Sequence, residues 1–215
     1  MQQKEDGDNI LSLYTTFHQL NFHPLAAIEY KLYPTLLNLF DRYQKGYIEK
    51  TDFINRINRV PIPQTESQAK GSSFEEAVIK GVNEDSFDAG ILDKVRALLP
   101  RPMMKTQVYC EHQLHNVLLY GYVDVIGKTL AVDIKTTNNY QPGKFEHSHQ
   151  NFYLPALRSK GIRTLRYVIT DFQEVYQENY DQTIDFSVQE IQIRLFCDFL
   201  EEHRGEVTDG RIFGR

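Results

Sequence analysis

At 215 residues, with 41% hydrophobic and 25% charged residues and a formal net charge of −5, the chain has the composition of an ordinary globular protein with room for one substantial core. No apolar run approaches the roughly 18 residues of a membrane span, and the opening MQQKEDGDN lacks the basic-then-apolar order of a secretory leader, so a cytoplasmic location is expected. Cys110 and Cys197 are too few and too far apart for a disulfide framework or a four-cysteine metal site, and the mild acidity disfavours indiscriminate binding to polyanions.

Residues 10–58 carry Leu, Phe and Tyr at helical spacing, as in Leu32, Leu36, Leu39 and Phe40 and then Phe53, Ile54 and Ile57. A helical N-terminal region over 1–62 is expected, offering a surface for a protein partner. Between its two runs, LFDRYQKGYIEKTDF has the outline of a calcium-binding loop, with Asp41, Gly46, Ile48 and Asp52 at the first, sixth, eighth and twelfth positions. The third, fifth and twelfth positions hold Tyr43, Lys45 and Asp52, so an ammonium group stands where the ion needs an oxygen. The segment therefore reads as a helix–turn–helix with Gly46 at the turn.

Residues 59–72, with two prolines among small polar residues, read as a loop. A helix is predicted from Ser72 or Ser73 as N-cap, with Glu75 or Glu76 near its first turn and Phe74, Val78 and Ile79 as its apolar stripe. Acids so early in a helix are ordinarily explained by the helix dipole. A second helix, Phe87 to Leu99, stops at Pro100.

A strand from Lys105 to Glu111 leads into a hairpin whose arms, Leu118 to Ile126 and Thr129 to Ile134, flank Gly127-Lys128. A two-residue turn there sets Ile126 opposite Thr129, Val125 opposite Leu130 and Asp124 opposite Ala131. Period-two alternation then puts Asp124, Ala131, Asp133 and Lys135 on one face, with Asp124 and Asp133 diagonal neighbours about 7–8 Å apart. Beyond a polar loop, Asn138 to Gly143, a helix is predicted from Lys144, carrying His147, His149, Gln150, Tyr153 and Leu157. The histidines read as surface or supporting residues at its N-terminal end. A strand over Leu165 to Thr170, an aromatic segment with Val175 and Tyr176, and a helix over Ser187 to Arg204 complete the chain. The last helix buries Val188, Ile191, Leu195, Phe196, Phe199 and Leu200. The order of elements predicts an α/β or α+β fold, with a small mixed central sheet flanked by helices over 63–215.

Two aspartates on adjacent strands, with a backbone carbonyl such as that of Ile134, are hard oxygen donors of the kind Mg²⁺ or Mn²⁺ prefers. A lysine two residues from Asp133 can orient a water or stabilise charge on a phosphate, which makes this a candidate site for phosphodiester hydrolysis. GYVDV followed by AVDIKTT resembles the second and third motifs of the PD-(D/E)XK nuclease superfamily, in its RecB-like and lambda-exonuclease-like branch. The helix around Glu75 resembles the first motif of that branch, and HQNFYLPAL resembles its Gln-x-x-x-Tyr motif. The likeness covers about Gly71 to Thr170.

The resemblance implies a restriction-endonuclease-like core and a Mg²⁺-dependent deoxyribonuclease, with Mn²⁺ able to substitute, acting in DNA repair, recombination or the processing of mobile-element or phage DNA. It assigns Asp124, Asp133 and Glu75, with the carbonyl of Ile134, as metal ligands; Lys135 as the catalytic lysine; and Gln150 with Tyr153 as the supporting pair. Glu76 is an alternative to Glu75. The spacing from Gln150 to Tyr153 is three where the motif has four, so His149 stands at the expected Gln position. The iron–sulfur cluster of some branches needs four cysteines and is not expected. Arg158, Lys160, Arg163 and Arg166 are candidate phosphate contacts. The competing reading is a catalytically inactive nuclease-fold module that binds nucleic acid or assembles with a partner.

Overall fold

The computed structural model describes residues 27–214; the helical reading of residues 10–26 lies outside them. Within them, β1 (Tyr30–Leu32) is followed by α1 (Pro34–Gln44), α2 (Lys50–Ile57), α3 (Glu66–Lys80) and α4 (Ala89–Ala97). Three strands follow, β2 (Lys105–Leu114), β3 (Val117–Ile126) and β4 (Leu130–Thr136). The chain continues through α5 (Tyr153–Leu157), β5 (Thr164–Thr170), β6 (Val175–Asp181) and α6 (Ser187–Glu202).

The six strands form one mixed sheet in the order β1-β3-β4-β5-β6, with β2 on the other edge of β3. β3 pairs with β2 along its length, with β1 only at Val117–Leu119, and with β4 only at Val125 and Ile126. Its edge is therefore open over residues 120–124. β4 and β5 run parallel from Leu130↔Thr164 to Thr136↔Thr170, and β6 returns antiparallel.

Helices cover both faces, as parallel strands require. On one face Phe74 and Val78 of α3 and Ile91, Leu92 and Val95 of α4 pack on Val125, Val132, Ile134 and Val168. The other face carries α1, α2, α5 and α6, with Phe40, Phe53 and Phe196 beside Leu165 and Tyr167. The N-terminal helices thus share a core with the C-terminal helix, and Phe40 lies 4.8 Å from Phe196 between ring centres.

The hairpin turn differs from expectation. The pairs are Val125↔Val132 and Ile126↔Ala131, and Gly127 N–H donates to Leu130 carbonyl at 2.8 Å, so Lys128-Thr129 is the turn and the register is offset by two residues. An offset of two does not by itself turn any side chain to the other face, because side-chain direction repeats every two residues. Gly127 is not in the left-handed region; it is needed because a Cβ there would lie 2.5 Å from Pro100 Cβ.

Helix α3 begins earlier than predicted, inside the stretch read as a loop. Thr65-Glu66-Ser67-Gln68 forms a capping box: Gln68 N–H donates to Thr65 Oγ1 at 3.2 Å, and Thr65 N–H donates to Gln68 Oε1 at 3.0 Å. The helix predicted from Lys144 is instead a run of turns, a 3₁₀ turn at His149–Phe152 and the five residues of α5. Pro155 donates no helical hydrogen bond, and the N–H groups of Gly143, Lys144 and Phe145 are taken by the Glu178 carboxylate. In α6, Ile193 is buried in place of Ile191, which is 38% exposed.

Candidate active site

The site forms where β3 and β4 part. Past Val125 the ladder to β4 ends, and Asp124 fills the opening: its Oδ2 accepts the Ile134 N–H at 2.7 Å. Asp124 and Asp133 are both buried, and the Asp133 carboxylate forms an ion pair with the Lys135 ammonium. Asp133 Oδ2 has no hydrogen bond of good geometry, which leaves the ammonium as its partner.

Glu75 reaches the same place from α3. Its Oε1 accepts from the Gln107 amide at 2.7 Å, and that amide also meets Asp124 Oδ1 at 3.2 Å. Glu76 points elsewhere and pairs with Lys80 at 2.9 Å. Of the two acids the sequence left open, the structure brings Glu75 to the aspartates.

Helix α3 can come this close because it carries Gly71. A Cβ there would stand 2.7 Å from Thr136 Oγ1 on β4. Gly71, Glu75, Lys135 and Thr136 line a groove of about 770 Å³, together with neutral side chains such as Gln64 and Asn138.

Three carboxylates and one ammonium leave a deficit of positive charge. Burial pushes the Asp124 carboxyl well above the usual range, and Asp133 and Glu75 push it further, against the Lys135 charge and the Ile134 N–H. Glu75 is raised by burial and then by Asp133. Burial works against the Lys135 charge, yet Asp133 and Asp124 outweigh it, and its pKa ends above the ordinary lysine value. Lys135 is thus a cation at neutral pH.

Such a donor set fits a hard divalent cation, which would balance the excess negative charge and add a ligand bond at Asp133 Oδ2, whose partner is otherwise the Lys135 ammonium alone. The fit is not already closed. Among the described residues no three His, Cys, Asp or Glu side chains are arranged as a ready metal cluster, and the Gln107 amide lies between Glu75 and Asp124.

Gln107 carried no sequence signal. It faces Asp124 across β2 and β3, at the one position the ladder skips between Thr106↔Val125 and Val108↔Val123, and its φ is 48°. On either side of this break Val123 packs in one core and Val125 in the other, so the strand reverses its inside and outside at Asp124. Irregularity of this kind re-aims side chains beside functional sites.

Tyr153 donates its hydroxyl to the Tyr122 carbonyl at 2.9 Å, on the open edge of β3. Gln150 is buried one shell further out, where its Oε1 accepts from Ser148 Oγ at 2.6 Å and Asn38 Nδ2 at 3.2 Å. His149 is not a surface residue: it is buried in a small cavity with His112 and Gln189, and burial pushes its pKa down to about 4. The four expected phosphate contacts do not line the groove. Arg163 N–H donates to Thr129 at the turn end of β4, six residues and about 20 Å along the strand from Lys135, and Arg166 is held by Asn179 and the Leu98 carbonyl. At the calcium-loop outline, the Lys45 ammonium is paired with Asp41 at 2.7 Å.

No protein-family model matches the chain, and no curated protein matches it in sequence. Its fold does match solved structures. A candidate exonuclease from Eubacterium rectale superposes with a TM-score of 0.54 at 13% identity, covering 83% of each chain. The chain thus shares that structure's fold, a mixed central sheet flanked by helices. Two further structures align less closely. SSO0001 gives a TM-score of 0.45 at 18% identity over 88% of this chain and 86% of its own. LHK-Exo, in complex with dAMP, gives 0.47 at 12% identity over 82% and 89%. No described helix is long and apolar enough to cross a membrane.

Proposed function

We propose that this nuclease-fold chain is a divalent-metal-dependent deoxyribonuclease. The observation that supports this most is the meeting of Glu75, Asp124, Asp133 and Lys135 at the open seam of β3 and β4, beside a groove of about 770 Å³ that Glu75 and Lys135 line. Glu75, Asp124 and Asp133, with the carbonyl of Ile134, would hold Mg²⁺ or Mn²⁺. Bound there, such an ion supplies Lewis acidity and lowers the pKa of water.

The chain's own groups divide the remaining work. Lys135 is protonated, so it donates hydrogen bonds: it orients the attacking water and offsets negative charge growing on the phosphate oxygens. Water oxygen forms the new bond to phosphorus as the bond to the leaving sugar oxygen breaks, giving a phosphate monoester and a hydroxyl. Tyr153 holds the open edge of β3 so that Asp124 keeps its aim, and Gln150 ties the segment before α5 to α1 through Asn38.

The test is cleavage of circular and end-labelled DNA with Mg²⁺ or Mn²⁺, with Asp133→Ala and Lys135→Ala as controls that should lose at least about a hundredfold in rate. No cleavage of single-stranded, duplex or branched DNA by the wild-type chain would sink the reading. A second reading, an inactive module that binds nucleic acid or a partner, is favoured by one observation: the Gln107 amide sits between two of the acids. It predicts no Mn²⁺ binding by calorimetry.

A further inference from the structure

Outside the acid cluster, the most unusual exposed surface is aromatic. Tyr109 and Tyr122 are cross-strand partners on β2 and β3, 44% and 56% exposed, with ring centres 5.5 Å apart in an edge-to-face arrangement. Two residues before Tyr122, Tyr120 packs against Tyr33 at 5.7 Å. The Arg59 guanidinium lies 5.3 Å from the Tyr33 ring centre and donates to the Tyr120 hydroxyl at 3.0 Å.

Along the chain this surface neighbours both the acid cluster and the groove. Tyr122 is two residues from Asp124, and Tyr109 two from Gln107. Tyr33 is two from Thr35, and Arg59 three from Ile62, both of which line the groove. An edge-to-face pair leaves ring surface free, and a solvent-facing aromatic ring beside a phosphodiesterase site is suited to a nucleobase.

Two further observations narrow the ligand. Among the groove's lining residues Lys135 is the sole cation, and the Lys70 ammonium at the far end sits 3.9 Å over the Phe172 ring. Phosphate capture by clustered cations is thus weak here, and affinity must come from elsewhere. Tyr120 and Tyr122 are about 6.6 Å apart along the strand, twice the ~3.4 Å spacing of stacked bases, a separation that unstacked nucleotides can match. In a duplex the base faces are already covered by their neighbours.

We propose that Tyr109 and Tyr122, flanked by Tyr33, Tyr120 and Arg59, are a stacking platform that holds unpaired DNA nucleotides beside the acid cluster, making single-stranded DNA the substrate. This rests on the nuclease reading, and the experiment separates the two.

Fluorescence anisotropy in EDTA, with the full-length chain and a labelled oligothymidine, reads binding without cleavage. Tyr109→Ala with Tyr122→Ala should weaken binding about tenfold or more, whereas Phe at both positions should stay within about twofold. An abasic strand of equal length should bind poorly and ignore both changes, and a blunt duplex should be insensitive to them. If the double alanine variant melts early, Tyr122→Ala alone, at the more exposed position, should weaken binding in the same direction. Wild-type affinity in the alanine variants overturns the platform. So does equal affinity for the abasic strand, or the absence of oligothymidine binding by the wild type. Binding with this pattern but no cleavage in Mg²⁺ or Mn²⁺ refutes the nuclease reading alone; cleavage that ignores the tyrosines refutes the platform alone.

Discussion

Asp124 accepts the Ile134 N–H at 2.7 Å across the point where β3 and β4 part, so one carboxylate both closes a gap in the backbone ladder and stands among the acids. Burial and two neighbouring carboxylates raise its pKa, and burial raises Glu75. An acid whose folded pKa lies above its unfolded value contributes stability that is present below about pH 4 and lost as pH rises through the folded value. Metal-free protein should therefore weaken as pH rises from about 4 toward neutrality. Asp124→Asn keeps an oxygen for Ile134 and removes the charge. We expect its metal-free melting temperature at pH 8 to rise by a few degrees and its pH dependence to flatten, while Mn²⁺ binding is lost. Thermal melts in EDTA beside calorimetry check both, and a less stable variant at pH 8 would contradict the charge argument.

Gln107 is held at φ 48° opposite Asp124, a conformation that costs a side-chain-bearing residue about 1 kcal/mol. Substitution should therefore rank against the usual order in strands. Gln107→Gly relieves the backbone and Gln107→Ala does not, so glycine should be the more stable of the two by roughly 0.5–1 kcal/mol. Urea denaturation of the pair decides it; alanine ahead of glycine means the left-handed residue carries no strain.

Why Gln107 escaped the sequence, while Asp124, Asp133 and Lys135 did not, is a matter of where the information sits. Strand alternation and Asp-x-Lys spacing are local, and they survive an error of two residues in the turn because side-chain direction repeats every two. The role of Gln107 depends on a break in alternation made jointly by two strands, and nothing in TQVYC marks it. Gly127 was legible as a glycine needed there but not why, since its neighbour Pro100 lies 27 residues earlier. The start of α3 was legible and misread: Thr65 and Gln68 carry the capping pattern within a stretch whose prolines suggested a loop. The four expected phosphate contacts lie off the groove because clustering in sequence at Arg158–Arg166 does not bring a segment near Lys135.

Gly71 stands four residues before Glu75 on the face of α3 that meets β4. Alanine for glycine inside a helix ordinarily stabilises by about 1 kcal/mol. Here the added Cβ would lie 2.7 Å from Thr136 Oγ1, and Gly71→Ala is expected to cost about 1–2 kcal/mol and to lower any cleavage by shifting Glu75. Thr136→Ala removes the obstructing atom, so the double variant should recover most of the loss. Unfolding free energies of the four proteins test this, and simple additivity would count against the contact.

The calcium-loop outline carries an internal counter-ion. Asp41 is paired with Lys45 at 2.7 Å and accepts from Gln192 at 3.0 Å. Millimolar calcium should leave the melting temperature within about 1 °C, and Asp41→Ala, which removes a pair only half shielded from solvent, should cost about 1 kcal/mol. A calcium-dependent rise that Asp41→Ala abolishes would reverse the assignment.

Tyr153 supplies the partner for the Tyr122 carbonyl on the edge of β3 that neither β1 nor β4 covers. Burial and the nearby Asp133 raise its pKa, so the hydroxyl keeps its proton and donates at any working pH. Tyr153→Phe retains the ring and leaves the carbonyl without this donor, at an expected cost of about 1–3 kcal/mol. If the bond serves the site by fixing β3, cleavage should fall in the variant while oligothymidine affinity through Tyr109 and Tyr122 is kept. Denaturation together with binding and cleavage assays separates these effects. A variant as stable as wild type would show that the open edge is held by packing alone.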